Sequence, residues 1–380
     1  MIILAIETSC DDTCVSIIKT SGRKKLIFKI LSNIVSSQVK IHRKYGGVYP
    51  TLAKREHQRN LPIILKRVLR KAGFAISNFQ FPISKQIPNS KFQIPKIDLI
   101  AVTVGPGLEP CLWVGVNFAK DLSFKWNKPI IPVNHIEAHI FANFVGLNSK
   151  FKSQNSKPQL KSQNLFPAVC LVVSGGHTQL ILMRNIGDYK ILGETRDDAA
   201  GECFDKTARI LGLGYPGGPI IAAEAAKYKI QNTRYKIQLP RPMMYTKDYD
   251  FSFSGLKTAV LYKVKSEKRK AKSKKYIQEM CYEIQQAIID VLIKKTIKAA
   301  KDYKVKTIIL GGGVSANKEL RKQLQEKIKK EIPNTKYLIP DTKYCTDNAA
   351  MVGVAGYFNW LKNKSRNWKK IEVNANLKLK

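Results

Sequence analysis

The stretch AVCLVVSGGHTQLILMRNIGDYKILGE (168–194) contains three short apolar or alternating runs, AVCLVV, TQLILMR and YKILGE, the first two parted by SGGH. Runs of this length, rich in Val, Ile and Leu, predict three successive strands. The same order stands near the start of the chain, where IILAI, TCVSIIKT and LIFKILSNIV fall within residues 2–35. Each triplet is followed by helix, strand and helix. In the first half these are 52–71, IDLIAVTV and LWVGVNFAKDLSFKW; in the second they are helices within 198–302, VKTIIL and NKELRKQLQEKIKK, with KYLIP as a closing strand. Two copies of a βββαβα order with parallel crossovers predict an α/β fold of two lobes around a central cleft, 1–148 and 165–380, with packing of the helix over 347–361 back toward the first lobe as an option. Ligands of such sheets sit beyond the carboxyl ends of the strands.

The bulk numbers agree with two domains. A chain of 380 residues exceeds what one core organises, and 44% hydrophobic with 25% charged residues supplies cores of ordinary size. No run approaches the roughly 18 apolar residues of a membrane span, and MIILAIETSCDD turns acidic too early for a signal peptide, so a cytoplasmic protein is expected. The seven cysteines (10, 14, 111, 170, 203, 281, 345) are scattered without a CxxC pair, which argues for reduced thiols over disulfides or a zinc ribbon. The net charge of +38, from 66 basic and 28 acidic residues, favours polyanionic partners, nucleic acid first. Only 14 of the 66 are arginine, and lysine abundant beside asparagine and isoleucine also fits a proteome-wide bias.

Three segments interrupt the pattern. The stretch SKFKSQNSKPQLKSQN (149–164) is polar and aperiodic and reads as a linker or insertion; residues 76–96, which include the near-repeat SKQIP and SKFQIP, read as a loop insertion. The basic run KVKSEKRKAKSKK (263–275) reads as a solvated segment ahead of a helix over 276–302.

Glycine-rich turns mark places where a backbone could hold phosphate. VVSGGHTQ (172–179) lies between two strands, so Gly175 and Gly176 form either a plain hairpin or an anion-binding turn. ILGGGVSANKEL (309–320) leaves a strand and enters a helix, where close backbone approach and the helix N-terminus suit a phosphate. YPGGPI (215–220) is a third such turn, and Asp205 in ECFDKTARILG has the plain reading of an i,i+4 partner of Arg209. In the strand-to-helix turn ILGGGVSANKEL neither GxxxxGK[ST] nor GxGxxG occurs, which disfavours a Walker-type NTPase and an ordinary dinucleotide enzyme.

NHIEAH (134–139) follows the apolar run PIIPV. Asn134 reads as an N-cap and Glu137 as the acid of a capping box; His135 and His139 then share one helix face, with Glu137 nearly opposite. The order is not HExxH, so a metallopeptidase is unsupported, and a bare HxxxH is compatible with either a metal pair or ordinary helix. Asp347 in KYCTDNAAM (343–351) opens a late helix, as a third ligand or as an N-cap.

Taken together, IETSCDDT (6–13), YGGVYPTLAKREH (45–57), GPGL (105–108), NHIEAH, VSGGHTQL (173–180), DDAAGECFDKTARILGLGYPGGP (197–219), FSFSGLKT (251–258), GGGVSAN (311–317) and CTDNAAM (345–351) resemble the TsaD family of tRNA adenosine threonylcarbamoyltransferases. The resemblance runs from Met1 to about Trp360. It implies an actin-like and sugar-kinase-like fold, with His135, His139 and Asp347 as ligands of one iron, or zinc, per subunit. It also implies adenylate and substrate contacts from Val172, Val173, Ser174, Gly175, Gly176, Asp205, Gly218 and Asn317, with tRNA and threonylcarbamoyl-AMP as substrates and the smaller relative TsaB and the ATPase TsaE as partners. TsaB is expected on the helix within 52–73, where Leu61, Ile64, Leu65, Val68 and Leu69 alternatively form core. One position departs from the family pattern: Ala222 stands where many relatives carry an acid that contacts the nucleotide sugar. No base for deprotonating the amine is assignable, although Asp11 or Asp12 is a contributor to consider. An actin-like ATPase or kinase, and a non-catalytic assembly subunit, are the competing readings.

Overall fold

The computed structural model describes residues 1–22, 26–74, 96–145, 165–228, 237–267, 273–363 and 367–379. Residues 76–95 and 149–164 of the two expected insertions, and 268–272 of the basic run, lie outside the described residues. The chain divides into two compact units.

The first unit comprises Met1–Ile41, Val48–Gln163 and Thr346–Leu379. Its sheet has strands β1 (Ile2–Glu7), β2 (Asp12–Ser21), β3 (Ile27–Ser37), β4 (Leu99–Gly105) and β5 (Ile130–Asn134) in the order β3-β2-β1-β4-β5. β1, β2 and β3 pair antiparallel, and β1, β4 and β5 pair parallel. The helices that accompany it are the one-turn α1 (Val39–His42), α2 (Pro50–Lys71), α3 (Glu109–Trp126) and α4 (His135–Phe141).

Every residue of β4 is buried, and so are Ile3 to Glu7 of β1, which requires a layer on each face of the sheet. On one face, Leu61, Ile64, Leu65, Val68 and Leu69 of α2 and Val116, Ala119, Leu122 and Trp126 of α3 join the strand side chains in one core. All five α2 residues considered for a partner are therefore core, and simple packing explains them. The other face is closed by α10 (Ala349–Lys362). It approaches closely because its sequence AAMVGVAGYF is small: a Cβ on Gly353 would come within 2.9 Å of Ile18 Cδ1, and one on Gly356 within 2.5 Å of Ala101 Cβ. At this density even one added methyl must displace something. A large residue at Gly356 would lift α10 and the loop that precedes it.

The second unit comprises His42–Gly47 and Asn164–Cys345, with Lys380. Its strands are β6 (Ala168–Val173), β7 (Thr178–Asn185), β8 (Asp188–Glu194), β9 (Thr307–Gly311) and β10 (Lys336–Leu338), in the order β10-β9-β6-β7-β8. Substituting β6 for β1 and so on, this is the order of the first sheet, with the same antiparallel and parallel pairs. The expected duplicated βββαβα order is present in both units. The helices are α5 (Ala200–Ile210), α6 (Gly217–Ala225), α7 (Ser254–Ser266), α8 (Lys274–Asp302) and α9 (Lys318–Glu331). The 29-residue α8 is the spine of this unit, with residues from Tyr276 to Ala300 in its core. No helix among the described residues is long and apolar enough to cross a membrane.

Candidate functional site

In the first unit, β5 ends at Asn134, whose side-chain Oδ1 accepts from the amides of Ile136 and Glu137 and so starts α4 at once. This cap sends His135 and His139 to one face with their rings edge to face, centroids 4.6 Å apart. Asp347 meets them there: its Oδ1 lies 3.2 Å from His139 Nε2 and 3.6 Å from His135 Nε2. The three ligand atoms lie within 4.8 Å of one another. Asp347 is not the cap of α10, because Asn348 takes that role by accepting from Met351 N. Glu137 takes a partner beyond its own helix, its Oε2 accepting from Asn359 Nδ2 of α10.

Behind this trio sits Glu7, fully buried at the end of β1. Its Oε2 lies 2.9 Å from His135 Nδ1 and accepts from Thr103 Oγ1 at 2.7 Å, while Oε1 accepts from Ser9 N at 2.5 Å. Burial pushes the Glu7 carboxyl up, but the His135 imidazole more than offsets this and leaves it below the ordinary range. For His135 the same balance works upward: burial opposes protonation, Glu7 and Asp347 favour it, and the pKa rises to about 9. Burial and the neighbouring His135 hold His139 low. Glu7 is the functional residue missed in the sequence, where an acid ending an apolar strand resembles an ordinary strand terminus.

The turn after β1 completes the site. His57 of α2 lies 2.8 Å from Thr13 Oγ1 through Nδ1 and donates from Nε2 to the Cys10 carbonyl at 2.9 Å, fixing the turn that carries Asp11 and Asp12. Asp12 Oδ1 is buried without a hydrogen-bond partner, and burial, then Asp347, push its pKa to about 7.

These residues fit a cation. His139 is wholly buried, yet neither ring nitrogen makes a well-formed hydrogen bond. A buried unpaired polar group is costly, and a metal is the partner that two imidazoles and a carboxylate accept together. The Glu7–His135 pair is the carboxylate–histidine arrangement that orients a ligating imidazole and raises its basicity.

In the second unit, Val172 and Val173 end β6, and Ser174, Gly175 and Gly176 form the turn into β7, with Ser174 Oγ accepting from His177 N. The glycines of this region divide into two sets. A Cβ on Gly201 would lie 2.5 Å from the Ser174 carbonyl oxygen, one on Gly217 2.4 Å from that of Phe204, and one on Gly312 2.3 Å from that of Val173. Gly312 also has φ +85°, a value that favours glycine. Cβ atoms on Gly175, Gly176 and Gly313 would meet nothing within 4 Å, and one on Gly218 only Phe204 Cβ at 3.9 Å. The first set draws the ends of β6 and β9 and the start of α5 together, and seats α6 against α5. The second set leaves backbone open to a ligand. Asp205 Oδ1 accepts from Gly217 N at 2.6 Å and so pins the start of α6. Asn317 caps α9 by accepting from Leu320 N at 3.0 Å and donates to Gln285 Oε1 at 2.8 Å. All eight residues expected to contact substrate therefore lie in this unit, and the close glycine packing gathers most of them at one end of its sheet.

The TsaD family model, described as tRNA N6-adenosine threonylcarbamoyltransferase, matches residues 29–81 and 82–354. The chain belongs to the TsaD family. Relatives named tRNA N6-adenosine threonylcarbamoyltransferase are similar throughout: that of Thermosipho africanus is 46% identical, covering 100% of both chains. That of Syntrophomonas wolfei is 42% identical, covering 98% of this chain and 96% of its own. Among solved structures, full-length HypF in its phosphate- and nucleotide-bound form superposes with a TM-score of 0.51 at 11% identity, covering 95% of this chain and 55% of that one. At that identity the likeness shows the fold alone, the duplicated actin-like and sugar-kinase-like class. Against the TsaD pattern, Ala222 is half-buried on α6 and offers no hydrogen bond to a sugar.

Proposed function

We propose that this protein transfers the threonylcarbamoyl group of threonylcarbamoyl-AMP to N6 of the adenosine immediately 3′ of the anticodon in ANN-decoding tRNAs. The observation that carries the reading is the meeting of the buried imidazoles of His135 and His139 with Asp347, their ligand atoms within 4.8 Å of one another, with Glu7 behind them. The three side chains hold one metal, iron with zinc as the alternative, which supplies Lewis-acid polarisation and a template for oxygen ligands.

The remaining chemistry belongs to the chain. Open backbone at Gly175, Gly176 and Gly313, and the capped start of α9, suit the phosphate and nucleoside of an adenylate. The amine nitrogen forms a bond to the carbamoyl carbon, the carbon–oxygen bond to the phosphate breaks, AMP leaves, and the amine loses one proton. Asp12, with its pKa near 7 and an unpartnered oxygen, takes that proton. A groove of about 1000 Å³ beside α2 and α3, lined by Lys54, Gln58, Pro62, Trp113, Phe118 and Lys125 among others, receives the smaller relative TsaB, and TsaE joins the same assembly.

The reading is tested by supplying threonylcarbamoyl-AMP, an ANN-decoding tRNA, TsaB and TsaE, then digesting the tRNA to nucleosides. Threonylcarbamoyladenosine is the expected product. Unmodified adenosine with every component present overturns the transferase reading and returns the actin-like ATPase or kinase alternative.

A further inference from the structure

Thirteen residues at the C-terminal end, 367–379, pack against the first unit and reach the framework of the metal site by three routes. Trp368 anchors the segment, its ring 5.6 Å from that of Phe124 on α3, and Ile371 is buried in the same core. Beyond them the backbone runs along the end of β4. Asn374 N donates to the Val104 carbonyl at 2.9 Å, next to Thr103, whose hydroxyl donates to Glu7. Gly107 N donates to the Ala375 carbonyl at 3.1 Å, while Leu108 N donates to the carbonyl of Ser9, whose hydroxyl lies 3.2 Å from His135 Nδ1. Asn134 Nδ2 donates to the Leu377 carbonyl at 3.2 Å.

The last bond is the most telling. One side chain, Asn134, starts the helix that carries both histidines through its oxygen and grips the tail through its nitrogen. The tail passes so close that a Cβ on Gly105, at φ +148°, would lie 1.8 Å from the Asn374 carbonyl oxygen. Glu137, on the face of α4 away from the histidines, is tied to Asn359 of α10, the helix that begins two residues after Asp347. Both elements that bring ligands together are thus held from behind.

We infer that the segment 374–377 is a brace for the metal centre, and that Asn134 is the positioning residue through which it sets the orientation of α4 and so the metal affinity. The inference rests on the metal reading above. It differs from plain structural support in one measurable respect, because coupling between two sites is reciprocal: if the tail tightens the metal, the metal tightens the tail by the same factor.

The test is a zinc titration by calorimetry on metal-free full-length protein, the Asn134→Ser variant and a chain stopped after Val373, with amide exchange at 374–377 followed with and without zinc. Serine still caps α4 but is too short to reach Leu377. Expected are zinc binding weakened about tenfold in both variants, metal-free unfolding temperature unchanged in Asn134→Ser, and slower exchange at 374–377 in the wild type when zinc is present. Zinc bound equally tightly by all three proteins, with tail amides indifferent to zinc, overturns the brace while leaving the metal site standing. A wild-type protein that binds no zinc and no iron refutes the metal site itself, and the brace with it.

Discussion

The sheets β3-β2-β1-β4-β5 and β8-β7-β6-β9-β10 have one topology and carry opposite chemistry at their carboxyl ends. The turn after β1 reads TSCDD and follows a buried Glu7; the matching turn after β6 reads SGGH and follows Val173. The first end gathers side-chain charge, in Glu7, Asp12, His135 and Asp347, with three of these pKa values moved clearly off their ordinary positions. The second presents backbone, through Gly175, Gly176 and Gly313. Buried charge survives only where a shell of partners is built around it, so the first end is closed by residues from β1, β4, α2, α4 and α10. A site made of amides needs only room, which glycine gives.

If that division of labour is right, mutations at the two ends fail differently. His139→Ala removes one of three ligands and should lower threonylcarbamoyl transfer by more than about 100-fold, measured by nucleoside chromatography, with little change in thermal unfolding of the metal-free protein. Loss of stability without loss of metal would break the comparison. Gly312→Ala acts on the backbone: a side chain at φ +85°, 2.3 Å from the Val173 carbonyl oxygen, should cost about 2–3 kcal/mol in thermal unfolding and weaken adenylate binding while metal content stays whole.

Asp12 sharpens the contrast through pH. Its folded pKa of about 7 lies above the ordinary 3.8, so the native state keeps a proton that the unfolded chain has lost. Stability therefore falls as pH rises through that window, and the penalty is complete above its upper edge. Asp12→Asn should raise the stability of the metal-free protein at pH 8 by on the order of 1–2 kcal/mol, with the gain vanishing below about pH 4. A gain that is independent of pH would assign the effect to packing. The smallest effect is expected at the groove beside α2 and α3, which Gln58 and Asn117 line from exposed positions. Asn117→Arg should weaken association with TsaB about tenfold in a pull-down titration without shifting the unfolding temperature.

Much of this was legible in the chain because periodicity and spacing are local. The triplets of strands, the cap at Asn134 and the shared face of His135 and His139 follow from residue order alone. What escaped depended on distant partners. Glu7 was invisible as a site residue because its role comes from His135, 128 positions away. Glu137 fits a capping box by spacing, yet its carboxylate is held by Asn359, 222 positions away. The five apolar residues of α2 suit a partner or a core equally well by pattern, and the sheet beneath them decides for core. The tail from 367 onward has no period to read, and its meaning lies in the strand end it follows.

Metal analysis of the freshly purified protein tests the account at its centre. One transition-metal ion per chain in the wild type, lost in His139→Ala and retained in Gly312→Ala, is the expected result. A wild-type protein without stoichiometric metal, which also takes up neither iron nor zinc when these are supplied, would contradict it.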